Sequence, residues 1–504
     1  MVHSVLTGAV FGVEGYPVKV EVDMSEGLPC IDMVGYLGSE VKEASNRVRV
    51  ALKNVGYGIP PKRITVNLSP ANQKKDGTAF DLAMAIGILS CMGIIKSPVE
   101  EVMILGELGL DGGVQKVPGV LPILLMAKER GIRICIVPKD NEKEGMCING
   151  MVVWGVADLK EAMEVYCHMG NKEMPNVSRL QHGMSVNETC SVMVDYADVL
   201  GQPQAKRAAE IAAAGFHNLL LYGPPGTGKS MIAAAIPGIL PPMTEKEKLD
   251  TSKIYSIMGK MSDGLIEERP FLNPHHTITP KALVGGGQHP MPGVISLANH
   301  GVLFMDELPE FKRQTLDLLR QPMEEGEISI IRKRGSYRYP CNFMLVAAMN
   351  PCPCGYYPDR NRCNCSDKEV ARYVKSISGP LLNRIDLSAA VMRNTYQQIN
   401  ARVKTESSEQ IRERVKKARS MQNSRNGKGI FNSKLAAREI KNICNLTSDA
   451  EEVLETYFTE KQLSVRGYHR ILRVARTIAD LEECIQVENG HILEAVSYRT
   501  MLDK

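Results

Sequence analysis

Residues 219–236 leave this chain little choice of fold. An apolar run, Leu219-Leu220-Leu221, is followed by Gly223-Pro224-Pro225-Gly226-Thr227-Gly228-Lys229-Ser230 and then by Met231-Ile232-Ala233-Ala234-Ala235-Ile236. The order predicts a buried strand, a glycine-rich turn and a helix, which is the G-x-x-x-x-G-K-S/T pattern with the right element on each side. Glycines let the backbone curl so that successive N–H groups face one point, and the positive helix N-terminus adds to their pull on phosphate oxygens. Lys229 is then placed to neutralise β- and γ-phosphates, and the Ser230 hydroxyl to coordinate Mg²⁺. Gly223 through Met231 are the nucleotide-binding candidates.

Further pieces of the same chemistry follow in order. Val302-Leu303-Phe304-Met305 reads as a strand ending in Asp306-Glu307. Asp306 can hold Mg²⁺, and Glu307 can polarise the water that attacks a γ-phosphate. Asn342 to Asn350 is another apolar run with an amide at its end, suited to orienting that water. Leu381-Leu382-Asn383-Arg384-Ile385-Asp386 offers Arg384, and Arg466, Arg470 and Arg473 share one helix face by their spacing. Any one of these arginines alone reads as a solvated face; the ordered series is far more specific.

At 504 residues the chain has room for roughly three domains. The first ~165 residues alternate between strand and helix patterns, as mixed α/β domains do. Val18, Val20 and Val22, like Ile64, Val66 and Leu68, alternate with polar residues; Val41, Ala44, Val48, Leu52 and Val55 fall at helical spacing. Phe80 to Met92 predicts a second helix and Ile134 to Val137 a short strand. Residues 168–194 lose this periodicity and read as a linker. The last ~110 residues are rich in Arg, Lys and Glu and predict helices. No apolar run reaches the roughly 18 residues that span a bilayer, and the opening MVHSVLTGAVFGVEGYPV lacks the basic start of a secretory signal. Thirteen cysteines, an odd number and mostly scattered, suit a reducing compartment, so a cytoplasmic protein is expected, away from membranes. A net charge of +4 excludes a polycation but not local contact with nucleic acid.

The ordered motifs resemble those of AAA+ ATPases, and more closely those of the magnesium-chelatase-like group that includes the ComM/YifB family. The matching stretches include Val199-Leu200-Gly201-Gln202, Gly301 to Glu310, and Arg470 to Asp480, and the likeness covers nearly the whole chain. It implies an α/β fold in which a Lon-like (S5-type) α/β domain at 1–167 precedes the 168–194 linker, an AAA+ P-loop α/β domain at 195–393 and a C-terminal helical lid at 394–504. It further implies that Asn350 is a sensor of the γ-phosphate, that Arg384 is an arginine finger acting on a neighbour's site, that Arg466 is a second sensor from the lid, and that Gln202 lies near the adenine. At Leu272 the chain departs from the arginine expected there. ATP and Mg²⁺ follow as cofactors, and a homo-oligomeric ring, most simply a hexamer, as the assembly. The implied work is ATP-driven DNA branch migration or helicase action in recombination during natural transformation, on single-stranded or branched DNA. The alternative is a chelatase-type subunit that remodels a protein partner.

The N-terminal block resembles the Lon protease domain through Lys75-Asp76-Gly77 and Ile104 to Gly113. Ala79 and Leu121 stand where that family's serine and lysine would, and neither can attack a carbonyl or take a proton. Thr78 is one residue away and would face elsewhere if the segment is extended. A structural or interaction module is therefore expected in place of a peptidase.

Two features remain. Cys352-Pro353-Cys354 and Cys363-Asn364-Cys365 put four thiols in one short window. Four thiolates can enclose a structural Zn²⁺, although C-x-C is tighter than the usual C-x₂-C and free thiols are the other reading. Residues 327–340 read as a β-hairpin with Arg332-Lys333-Arg334 at the tip and Tyr337 and Tyr339 on the return arm. Such a tip can grip phosphates and stack on bases, or be an ordinary solvated turn. Gly285 to Gly293 is a second candidate pore loop.

Overall fold

A computed structural model describes residues 2–96, 101–168, 194–261, 264–332, 335–396 and 405–499. Nearly all of the 168–194 linker lies outside these residues. The chain divides into two compact units, and both are discontinuous: residues 1–188 are joined by 248–266 and 331–339, while 189–247, 267–330 and 340–504 form the other.

The first unit is built on a seven-stranded sheet in the order Cys30–Val34, Arg63–Ser69, Glu14–Ser25, His3–Phe11, Val102–Ile104, Ile134–Pro138, Val152–Val156. One half is mainly antiparallel, with Val20 opposite Leu68 and Val22 opposite Val66. The alternation seen in the sequence is real: Val18, Val20, Val22, Ile64, Val66 and Leu68 are all fully buried on one face. Helices Ser39–Val55 and Asp81–Cys91 cover that face. The other half is parallel, and Val120–Glu129 packs on its opposite face with Cys135, Val137 and Val153. The inserted segment 248–266 docks here through Ser256. Its hydroxyl bonds Glu144, and its carbonyl accepts the Gly119 N–H at 3.0 Å.

The second unit carries a five-stranded sheet in the order Phe271–Leu272, Val302–Met305, Met344–Met349, Leu219–Tyr222, Leu387–Ala390, and every pairing is parallel. Buried on both faces, these strands read as continuous apolar runs. Leu219–Tyr222 lies inside the sheet, paired with Met344–Met349 on one side and Leu387–Ala390 on the other. The loops at the carboxyl ends of such neighbours form the crevice in which ligands of open parallel sheets bind. The C-terminal helices Ser408–Asn426, Ala437–Cys444, Ser448–Glu460, Val465–Leu481 and Asn489–Ser497 share one core with this sheet. Within it Asp480, fully buried, accepts from Arg425 at 2.7 and 2.9 Å, Arg476 at 3.1 Å and Asn432 at 2.7 Å. No described helix is long and apolar enough to cross a membrane.

Candidate active site

The turn between Leu219–Tyr222 and helix Lys229–Ile239 is held open by backbone that only glycine adopts readily. Gly226 and Gly228 have φ of 74° and 93°, and a Cβ at either would meet nothing within 4 Å. Thr227 Oγ1 closes the turn on the Pro224 carbonyl at 2.9 Å. Gly228 caps the helix, so the positive N-terminus of an 11-residue helix opens into the cradle. The Lys229 ammonium is almost buried and donates to the carbonyls of Gly223 and Pro224 at 2.8 Å each, and to Asn350 Oδ1 at 3.0 Å. Burial pushes its pKa below the usual lysine range, against the opposing pull of Asp306 and Glu307. A cation whose charge is only partly compensated is matched to phosphate. Met231 sits partly exposed on the first turn of the helix.

Across the sheet, Val302–Met305 delivers Asp306 to the same place. Ser230 Oγ donates to Asp306 Oδ2 at 2.8 Å, so two hard oxygen ligands converge, a pair that fits Mg²⁺. Glu307 takes a left-handed turn (φ 51°), its N–H bonded to Asp306 Oδ1 at 2.9 Å, which turns its half-exposed carboxylate out of the strand line. Three residues near this cluster carried no marker in the sequence. His276 Nδ1 comes within 3.9 Å of Glu307 Oε2 and lies against the His275 ring, in the loop that follows strand Phe271–Leu272. The Tyr373 hydroxyl bonds the Asn350 backbone; burial and the charges of Glu310 and Glu307 push its pKa up to about 12. Gly355 lies against Pro225 of the phosphate loop. Gln202 stands apart in role: its amide donates to Met392 O and Asn394 Oδ1 and accepts from the Met392 N–H, which ties the start of helix Pro203–Gly215 to the end of strand Leu387–Ala390.

Arg384 and Arg466 are brought together, but away from this cluster. Both line a cavity of about 340 Å³ with Lys434, His469, Arg470 and Arg473, and no residue of the phosphate loop lines it. The acids there are Glu324, bonded to Arg384, and Asp386, 3.6 Å from Arg470. Burial raises the Asp386 carboxyl, but His217, Arg470 and the Asn218 N–H outweigh it and hold the pKa at about 2. Burial pushes Arg470 and Arg473 down. The buried Nε groups of Arg384 and Arg473 make no hydrogen bond among the described residues. Five cationic side chains against two carboxylates give a lining that suits an anion.

The remaining candidates differ from expectation in three respects. Strands Glu327–Arg332 and Gly335–Pro340 do pair as a ribbon, yet Tyr339 is only 1% exposed and the Tyr337 ring packs at a tilt against Phe11, centroids 4.5 Å apart. Tyr339 therefore cannot stack on a base, and Tyr337 has an aromatic partner already. Arg332 is exposed; Lys333 and Arg334 lie outside the described residues. Gly285–Gly286 and Met291–Pro292 pair into a small hairpin, so the second candidate loop is shaped, not slack. Thr78 lies in a bend, not an extended segment, and its hydroxyl donates to Glu107. Lys75 is buried against the carbonyls of Pro70 and Gln73. Leu121 is fully buried, its N–H bonded to Glu144 at 2.9 Å and Ser256 at 3.3 Å, so the place of a catalytic lysine is a packed seam. The four cysteines at 352, 354, 363 and 365 do gather, with all sulfurs within 4.8 Å of one another.

A parallel sheet with a phosphate cradle on an inner strand, an amide on the neighbouring strand and an acid pair on the strand beyond it defines a P-loop ATPase of the AAA+ class. Family models agree along the chain: one for the ChlI subunit of magnesium chelatase matches residues 195–399, another for that subunit matches 20–141, and one for its C-terminal part matches 405–499. The competence protein ComM of Haemophilus influenzae is 41% identical over 501 residues, spanning 99% of this chain and 97% of its own length. Escherichia coli YifB is 42% identical over 504 residues, spanning 98% and 96%. The magnesium-chelatase 38 kDa subunit of Cereibacter sphaeroides is 28% identical over 174 residues, or 31% of this chain. The chain belongs to the ComM/YifB family of magnesium-chelatase-like proteins.

Proposed function

We propose that this chain is a cytoplasmic ATP-driven ring motor that works on DNA, moving branch points or separating strands during recombination of incoming DNA. The observation that carries the ring is the division of the catalytic groups into two half-sites. Lys229, Ser230, Asp306, Glu307 and Asn350 form one, while Arg384 and Arg466 line a separate anion cavity on the same protomer. In a head-to-tail ring the cavity of one protomer meets the cradle of the next, and six copies close it most simply.

At the cradle, Lys229 and the turn N–H groups bind the β- and γ-phosphates. Ser230 and Asp306 would hold Mg²⁺, which when bound neutralises phosphate charge. Glu307 accepts the proton of the attacking water, and Asn350, anchored by Lys229 and Tyr373, orients that water. Arg384 and Arg466 from the neighbour stabilise charge on the transferring phosphoryl group. Gln202, held by Met392 and Asn394, lies near the adenine.

DNA as the polymer is supported by the 41% identity to a competence protein over 99% of this chain, against 28% identity to a chelatase subunit over 31% of it. A protein-remodelling motor is the rival. Steady-state ATP hydrolysis measured with single-stranded, duplex and forked DNA separates them. Stimulation by forked or single-stranded DNA is the expected result; no binding and no stimulation even at low salt would leave the remodelling reading.

A further inference from the structure

Beyond the sensor strand Met344–Met349 the chain makes a compact loop that the ATP chemistry leaves unused. Cys352 and Cys354 open it, Cys363 and Cys365 close it, and helix Asp367–Lys375 follows behind a Ser366–Glu369 capping box. The sulfur of Cys352 lies 3.3 Å from that of Cys354 and 3.7 Å from that of Cys363, and Cys354 and Cys363 are 3.6 Å apart. A disulfide needs about 2.05 Å. Four thiolates about 2.3 Å from a tetrahedral Zn²⁺ have edges of about 3.8 Å. The observed spacing is that of ligands around a shared centre. Cys352 is fully buried and Cys363 nearly so, and the Tyr357 N–H donates to the Cys352 sulfur at 3.3 Å, the kind of contact that orients a metal-bound thiolate. Gly355, at φ 85°, turns the chain directly after Cys354 and lets it fold back over the sulfurs.

The loop also touches the phosphate cradle. A Cβ on Gly355 would lie 2.6 Å from Pro225 Cδ and 3.8 Å from Asn350 Cγ, so this turn seats directly on the phosphate loop. Asn350, two residues before Cys352, accepts from Lys229. We propose that Cys352, Cys354, Cys363 and Cys365 bind one Zn²⁺ as a closed structural site, and that this metal holds Asn350 and Gly355 against the phosphate loop. All four ligands are protein thiolates, so no position is left for a substrate or a water. Soft sulfur tetrahedra select zinc or iron, and the two are told apart by measurement.

The metal half of this inference is independent of the proposed ATPase; the coupling half rests on it. Elemental analysis of the full chain, purified reduced and without chelators, should give about one zinc and no iron per chain. Co²⁺ exchanged into the site should show the intense visible bands of tetrahedral thiolate coordination. Cys354→Ser with Cys365→Ser should lose the metal, and Cys365→His, which keeps a ligand, should retain it. Lys229→Ala should keep full zinc while losing nucleotide, so a failed nucleotide site and a failed zinc site give different patterns. Removing zinc from the intact chain with a chelator should weaken binding of a fluorescent ATP analogue about tenfold, within the usual range for coupled sites. Zinc near zero, stoichiometric iron, or full zinc in the double-serine chain would overturn the site. Zinc loss with unchanged nucleotide affinity would overturn the coupling.

Discussion

If Arg384 serves a neighbour's nucleotide, two inactive variants should repair each other. An arginine finger is worth about 10³-fold or more in rate, and loss of Lys229 removes the phosphate grip, so Lys229→Ala and Arg384→Ala rings should each be nearly silent. In an equal mixture each interface needs a cradle from an Arg384→Ala protomer and an arginine from a Lys229→Ala protomer. Random assembly restores about one quarter of head-to-tail interfaces, whatever the ring size. Hydrolysis measured at constant total protein across mixing ratios should trace a bell with its maximum at equal amounts. The cavity sharpens the test, because Arg384 and Arg466 line it together. Arg466→Ala should also be repaired by Lys229→Ala, whereas Arg384→Ala mixed with Arg466→Ala should stay silent, since no protomer then carries both arginines. The opposite pattern, repair between the two arginine variants and none between Arg466→Ala and Lys229→Ala, would mean that Arg466 serves its own protomer's cradle. A flat line for Lys229→Ala with Arg384→Ala, with mixed rings verified by differently labelled protomers, would refute the shared site.

Glu307→Gln should bind ATP with near-native affinity in a filter or fluorescence assay while turnover falls about 10²- to 10⁴-fold, the usual worth of a positioned base; unchanged turnover would remove the assignment. Reversing Arg332, Lys333 and Arg334 to Glu should weaken DNA binding and flatten its salt dependence, by up to about one unit of log–log slope per lost phosphate contact, while basal hydrolysis persists; an unchanged salt slope would take the ribbon tip out of the DNA interface. Asp386 has its carboxyl lowered from 3.8 to about 2 in the folded chain. A depressed carboxyl contributes stability that is present above the unfolded value and lost as pH falls toward the folded one, here roughly 2 kcal/mol disappearing between about pH 4 and pH 2. Denaturation of the native chain and of Asp386→Asn should therefore differ at pH 5 and converge near pH 2; a gap that persists at pH 2 would count against the charge origin.

The parts of the site legible in the sequence are those whose chemistry is written in consecutive residues. Gly223 to Ser230 needs only its own backbone and the helix it starts, and the strand ends at Asp306 and Asn350 need only an apolar run before a polar residue. The sheet of the first unit was readable for the same reason, since Val18 to Val22 and Ile64 to Leu68 alternate within a few positions. What could not be read is decided between distant segments. His276 reaches Glu307 from the loop after strand Phe271–Leu272, where the sequence signals only a departure at Leu272. Tyr337 and Tyr339 share the parity of a base-stacking face, but the ribbon turns that face inward: Tyr339 is buried, and Phe11 lies against Tyr337. Ser256 carries no sign that its hydroxyl and carbonyl will be bonded by the unit built from the first residues of the chain, so 248–266 reads as part of the nucleotide-binding block until the fold is seen. The arginine cavity is the strongest instance. Helical spacing put Arg466, Arg470 and Arg473 on one face, but nothing local says that this face meets Arg384. That meeting turns isolated cations, each an ordinary surface charge by itself, into a cluster in which the buried Nε groups of Arg384 and Arg473 have no hydrogen-bond partner among the described residues, a lining that suits an anion.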